Sequence, residues 1–145
     1  MKVVIKKASS PGDLQACMSI RKTVFVHGQN VPLQEEIDGK DEGSDHYLLV
    51  CDELPVGVAR VRFIGNIAKI ERVAILDDYQ GRGFGNQIMQ AILADLQGDS
   101  RLETAKLSSQ TYAIPFYEKL GFIICSGEYL DAGIPHQDMQ LSLDR

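Results

Sequence analysis

Apolar and polar positions alternate weakly over Val3–Lys7, the pattern of a first strand at the edge of a fold. Ser9-Ser10-Pro11-Gly12-Asp13 then supplies N-cap and first-turn chemistry, and Leu14, Met18, Arg21 and Phe25 recur on adjoining turns of a helix. From Gly28 to Asp45 the periodicity fades and acid accumulates, with Glu35, Glu36, Asp38, Asp41, Glu42 and Asp45 against Lys40. Composition makes that stretch a solvated loop with a short helical turn.

From His46 the texture becomes β-rich. His46–Asp52 and Val56–Ile64 read as strands joined by a hairpin at Glu53-Leu54-Pro55, and Ile67–Leu76 follows through the Gly65-Asn66 turn signal. A glycine-bearing loop, Asp77 to Gly85, leads into the clearest helix, with Phe84, Ile88, Ala91, Ile92 and Leu96 on one face until Gly98-Asp99-Ser100. Thr104–Ser108 is strand-like, Thr111–Leu120 is helical despite Pro115, and Gly121 sits where a helix ends. Phe122–Cys125 and Met139–Leu143 add strands. The order β-α-β-β-β-α-β-α-β-β predicts a single α/β domain over 1–145, a mixed, mostly antiparallel sheet flanked by helices.

The chain is long enough for one domain and, at 44% apolar and 24% charged over 145 residues, has globular composition. Fifteen basic against twenty acidic residues give a net charge of −5, which argues against nucleic acid as a partner and suits a cationic one. No apolar run approaches the ~18 residues of a membrane span, and the N-terminal apolar stretch is too short for a signal peptide. The three cysteines, Cys17, Cys51 and Cys125, lack metal spacing and read as buried thiols of a reducing, cytoplasmic setting, with Cys125 alternatively facing a site. His27, His46 and His136 share no zinc-like spacing, so no metal is expected.

The segment Gln80-Gly81-Arg82-Gly83-Phe84-Gly85-Asn86 lies between an apolar strand and the best helix. Glycines let backbone approach a ligand closely, and the first helical turn leaves N–H groups free beside a positive partial charge. A phosphate satisfies both, and Arg82 adds formal charge; the cluster read by itself is equally the N-cap turn of the helix. Asn86-Gln87 stands where a P-loop needs Lys-Ser/Thr, and the spacing G-x-G-x-G is not that of a dinucleotide fold.

This segment resembles the Q/R-x-x-G-x-G/A motif of the Gcn5-related N-acetyltransferase (GNAT) superfamily, preceded by the strand Glu71-Arg72-Val73-Ala74-Ile75. About 30 residues on, Ala113-Ile114-Pro115-Phe116-Tyr117-Glu118-Lys119-Leu120-Gly121-Phe122 is similar to that superfamily's A-x-x-F-Y-x-x-x-G-F segment. Arg21, Val24-Phe25-Val26, Val31-Pro32, Glu36-Ile37-Asp38 and Leu130 to His136 are similar to a small, uncharacterised bacterial subgroup, except that Gly28 precedes Gln29 where the subgroup has Glu.

The resemblance implies an acetyl-coenzyme A-dependent transferase acting on a small-molecule or peptide amine, with dimers common. Its diphosphate would rest on the backbone from Gln80 through Asn86, and its pantetheine arm along Val73, Ala74 and Ile75 where two strands splay. Gln110 is either a contact to that arm or a helix N-terminal residue facing water. Tyr117 would protonate the leaving thiolate, with Tyr112 and Tyr129 as alternatives, and the Ala74 N–H would face the oxyanion. Glu71, placed by alternation on the side of Val73 and Ile75, is either a general base or a salt-bridge partner of Arg60, Arg62 or Lys69. Phe25, Glu36, Asp38 and His136 would line the acceptor pocket, His136 alternatively being a turn histidine in solvent. A coenzyme A-binding sensor without catalysis is the competing function.

Overall fold

In the computed structural model, which describes residues 1–143, the strands are β1 (Val3–Lys7), β2 (Asp45–Cys51), β3 (Leu54–Ile64), β4 (Ile67–Ile75), β5 (Thr104–Gln110), β6 (Ile123–Ile124), β7 (Tyr129–Asp131) and β8 (Ile134–Ser142). They form one sheet in the order β1-β2-β3-β4-β5-β8-β6, with β7 paired to β8 off that path. The β4–β5 pair is parallel and the other pairs are antiparallel.

The helices are α1 (Pro11–Arg21), α2 (Leu33–Glu36), α3 (Phe84–Gln97) and α4 (Ile114–Lys119). Helix α3 buries Ile88, Met89, Ile92 and Leu96 against one face of the sheet, where Leu49, Ala59, Val61 and Ile70 meet them. Helix α1 covers the opposite face, with Cys17 and Ile20 packed on Leu48, Val58 and Ala74. Ser10 caps α1 by accepting from the Asp13 N–H at 3.1 Å.

Several expectations shift. The β2–β3 turn is Asp52-Glu53, both at positive φ (48° and 70°), so Leu54 and Pro55, expected in the turn, pair instead with Cys51 and Val50. Phe25 does not continue the α-helix: the backbone widens into a π-helical segment over Lys22–Gly28. Pro115 occupies the first turn of α4, which therefore starts at Ile114 after a 3-10 turn at Thr111–Ala113. Cys17 and Cys51 are buried as expected, but Cys125 is exposed, just beyond the short β6. The last strand begins at Ile134, because β7 and Ala132-Gly133 form a hairpin ahead of it.

Candidate active site

Strand β4 changes partners partway along. Its ladder with β5 runs from Ile67–Thr104 to Ile70–Leu107, after which β4 continues to Ile75 and β5 to Gln110. On the other side, Val58 lies opposite Ala74 and Arg60 opposite Glu71, so Ala59 alone faces both Arg72 and Val73. That extra residue is a β-bulge, and Arg72 takes it up at φ 56°.

The bulge reverses the facing of every later residue. Ile70, Val73 and Ile75 pack toward α3, whereas Ala74 packs toward α1. Glu71 lies opposite Arg60, on the α1 side with Val58 and Ala74. Simple alternation had put Glu71 on the side of Val73 and Ile75; the inserted residue puts it on the other.

Positive φ costs a residue with a Cβ about 1–2 kcal/mol, and such strain persists where surroundings fix it. Here the Arg72 guanidinium is held by the α2 segment: its Nε is 2.7 Å from Glu36 Oε2, and its Nη2 donates to the carbonyl oxygens of Glu35 and Glu36 at 3.3 and 3.2 Å. Arg21 and Arg60, both fully buried, complete the cluster. Arg21 reaches Glu36 Oε1 at 2.9 Å and Asp41 at 2.5 Å. Arg60 donates to both oxygens of Asp38 at 2.9 and 2.8 Å, to Asp41 at 3.0 Å and to Glu71 at 2.9 Å.

The stretch from residue 28 to residue 45 is thus a largely exposed loop with a short helical turn, as expected, but three of its acids, Glu36, Asp38 and Asp41, turn inward onto arginines. Glu36 is 2% exposed, and the Arg60 hydrogen bonds hold the Asp38 carboxyl well below its ordinary range. Burial alone would raise Glu71, but Arg62 and Arg60 outweigh it and leave its pKa lowered. Glu71 pairs with Arg60, with Arg62 at 2.5 Å and, more loosely, with Lys69 at 3.8 Å.

A cleft of about 290 Å³ opens where β4 and β5 part, and Phe25, Glu71, Val73, Gln110, Tyr117 and His136 all contribute to its wall. Tyr117 is half-buried, with its ring edge-on to Phe116 and Phe122 at 4.9 and 6.1 Å. Burial pushes its phenol up to about 12, and its hydroxyl has no partner among the described residues. The two alternative tyrosines differ. The Tyr129 hydroxyl donates to Asp138 at 2.5 Å and also meets Ser108 Oγ, while Tyr112 is 78% exposed. Gln110 ends β5 and is the N-cap of the 3-10 turn at Thr111–Ala113, but it does not simply face water: its amide donates to Gln29 Oε1 at 2.7 Å. Nothing in the motif spacing foretold that contact.

The glycine loop lies just beyond β4. Gly81 and Gly83 have φ of 76° and 81°, and a Cβ on either would point into open space. Gly83 is the N-cap of α3, no side chain caps that end, and no acid occupies the first turn, so its N–H groups are open to an anion. Arg82 lies over the Tyr79 ring and donates to the Asp78 carbonyl at 3.0 Å. Lys119 lines a hollow beside the loop together with Gly81, Gly83, Asn86 and Phe116. The Phe84 ring is buried in the core, leaving its backbone to face the hollow, and Gln80 braces the loop by donating to the Ile75 carbonyl at 3.0 Å.

An uncapped helix end thus lies beside a strand released from its neighbour, with the Tyr117 phenol lining the opening. Residues 11–143 match the family model of the acetyltransferase (GNAT) domain. The chain is 39% identical over 140 residues to the uncharacterized N-acetyltransferase YjcF of Bacillus subtilis (strain 168), covering 96% of this chain and 98% of that one. It is 32% identical over 138 residues to Protein ElaA of Escherichia coli (strain K12), covering 90% and 88%. The crystal structure of Escherichia coli ElaA superposes with a TM-score of 0.86 at 27% identity, over 96% and 99% of the two chains. An acyl-CoA N-acyltransferase from Pseudomonas aeruginosa gives 0.84 at 26% identity, over 96% and 97%. The chain belongs to the GNAT acetyltransferase family and is an acyltransferase.

Proposed function

We propose that this enzyme moves the acetyl group of acetyl-coenzyme A directly to a primary amine, with both substrates bound together. The observation that carries this reading is the parting of β4 from β5 beyond Ile70 and Leu107, next to an uncapped helix end. A pantetheine arm is a chain of amides, which main-chain edges such as those of Val73, Ala74 and Ile75 recognise as they would a strand. The backbone from Gly81 to Asn86, with Arg82 and Lys119, supplies donors and positive charge for the phosphates.

Three demands define the chemistry: a neutral amine, a donor for the oxyanion and a proton for the thiolate. The Ala74 N–H serves the oxyanion. Tyr117, held protonated by burial and without a competing acceptor, serves the thiolate. The acceptor enters beside Phe25, Gln29 and His136, where a smaller cavity adjoins the cleft. Glu35 and Asp131 at its wall have no side-chain ion pair among the described residues and draw in a cation. Glu36 and Asp38 act one step back, by fixing Arg72 and so the bulge.

An amine-library screen with thiol release as readout tests the proposal. Release that depends on one class of amine is the expected result. Saturable acetyl-coenzyme A binding without transfer to any amine would instead mark a coenzyme A-sensing module.

A further inference from the structure

An alkyl amine with a pKa near about 10 arrives as ammonium at neutral pH, so a proton must leave before attack. The roles above name no acceptor for it. We propose that His136 is that acceptor, through Nε2, an assignment that rests on the acetyl-transfer reading.

The tautomer follows from one contact. His136 Nδ1 lies 2.7 Å from the carbonyl oxygen of Ile134. A carbonyl only accepts, so Nδ1 carries the hydrogen and the lone pair of the neutral ring is on Nε2. The side chain is nine-tenths buried at 9% exposure, yet Nε2 has no partner among the described residues and is not sealed off. Its ring forms wall of both the cleft that holds Tyr117 and the smaller cavity beside Phe25. Tyr129 stacks on it at 6.1 Å and 24°, and Gln110 lies opposite it across the β5–β8 ladder. The ring is thus oriented on three sides with its basic nitrogen left free.

No other group facing this space meets the same description. Glu71 and Glu36 are bound by arginines, and Lys69 and Arg72 are themselves cations. The Tyr129 hydroxyl is donated to Asp138, Tyr117 is needed as a donor, and Tyr112 stands in solvent. Asp131 and Glu35 are exposed carboxylates at the rim, suited to attracting the ammonium rather than deprotonating it.

The balance is simple. Nε2 takes one proton from the ammonium and becomes imidazolium, keeping its Nδ1–H on Ile134. The neutral amine forms the N–C bond, the C–S bond breaks, and Tyr117 gives its proton to the departing thiolate. The new amide nitrogen returns a proton to the phenolate, and imidazolium releases its own to water.

The test compares the native enzyme with His136→Asn, His136→Ala and Glu71→Gln, reading thiol release across pH and acetyl-coenzyme A affinity by calorimetry. Asparagine keeps a donor to the Ile134 carbonyl but removes the base. We expect kcat/KM for His136→Asn to fall about 100-fold at neutral pH, with the acid limb of the profile gone and acetyl-coenzyme A affinity within two-fold of native. Added imidazole restores turnover to His136→Ala, and Glu71→Gln keeps the acid limb. A native-like profile in His136→Asn, or loss of the limb in Glu71→Gln, overturns the assignment while the transfer reading stands. A native enzyme that binds acetyl-coenzyme A and acetylates no amine overturns both.

Discussion

Two polar loops flank the working strand, and they treat their charges in opposite ways. The stretch preceding β2 brings Glu36, Asp38 and Asp41 onto Arg21, Arg60 and Arg72, so that its three inward-turned carboxylates are all paired. The loop following β4 does the reverse: its helix end is uncapped, its first turn carries no acid, and Lys119 beside it has no ion pair among the described residues. A satisfied network holds backbone in place, whereas unsatisfied donors are what a ligand can bind. On the proposed reading, the first loop shapes the site and the second receives the phosphates.

The largest expected effect comes from breaking the satisfied side. Arg60 is fully buried and shared by Asp38, Asp41 and Glu71, so Arg60→Met leaves three carboxylates without their common cation. A loss of about 3 kcal/mol in urea unfolding is expected, and less than about 1 kcal/mol would mean the network is not structural. The same three acids predict acid sensitivity. The Arg60 hydrogen bonds lower Asp38; burial opposes the drop at Asp41 and Glu71, but their arginines prevail. The unfolded chain therefore binds protons more readily, and the contribution is whole above the ordinary values of 3.8 and 4.5. It disappears as pH falls through those values toward the lowered ones. Urea midpoints taken from pH 7 to pH 3 should fall steeply for the native chain and less so for Arg60→Met.

Next comes the phenol between the two regions. Tyr117→Phe should cut turnover ten-fold or more, about 1.4 kcal/mol of barrier, while acetyl-coenzyme A affinity changes little. Unchanged turnover would remove Tyr117 from the chemistry.

How much of this was readable beforehand divides along the same line. The glycine loop and the Tyr117 segment are local patterns, and the resemblance of those two patterns to the GNAT motifs singled out the helix end and the phenol. The eight-strand sheet was legible down to the β7–β8 hairpin, where Tyr129–Asp131 is too short to show a period. The arginine network was not legible, because Arg21, Arg60 and Arg72 come from three separate elements and composition counts only the acids near Asp38. The facing of Glu71 was missed for a different reason. A bulge at Arg72 changes the period by one residue, and nothing in Glu71-Arg72-Val73 marks it in the way a glycine would.

Smaller effects separate conformation from contact within the open loop. Gly83→Ala forces a Cβ onto a residue at φ 81° and should lower stability by about 1 kcal/mol in thermal unfolding, weakening acetyl-coenzyme A binding with it. Gly85 is already helical, and its Cβ would meet only Phe116 at 3.5 Å. Gly85→Ala should therefore leave stability within about 0.5 kcal/mol of native, so any loss of affinity there reports close approach of the ligand rather than backbone strain. Equal destabilisation by the two changes would contradict that division.

The smallest effect is expected from Arg82→Ala, and its dependence on salt is what makes it informative. The Arg82 side chain rests on Tyr79 and the Asp78 carbonyl without a carboxylate partner, so its charge reaches the helix end through solvent. Interactions of that kind are worth about 1 kcal/mol or less and are screened over about 10 Å at 0.1 M salt. Removing it should weaken acetyl-coenzyme A binding about three- to five-fold in dilute buffer, a gap that calorimetry should find mostly closed near 1 M salt. The Arg60 network should respond differently: its stabilising effect, measured as the native-minus-Arg60→Met difference in urea, should change far less over the same range of salt, because the Arg60 side chain is fully buried and buried pairs are screened much less. If both effects faded together, the contrast between a sealed and an open set of charges would fail. If neither faded, the Arg82 contribution would be one of packing against Tyr79 rather than of charge.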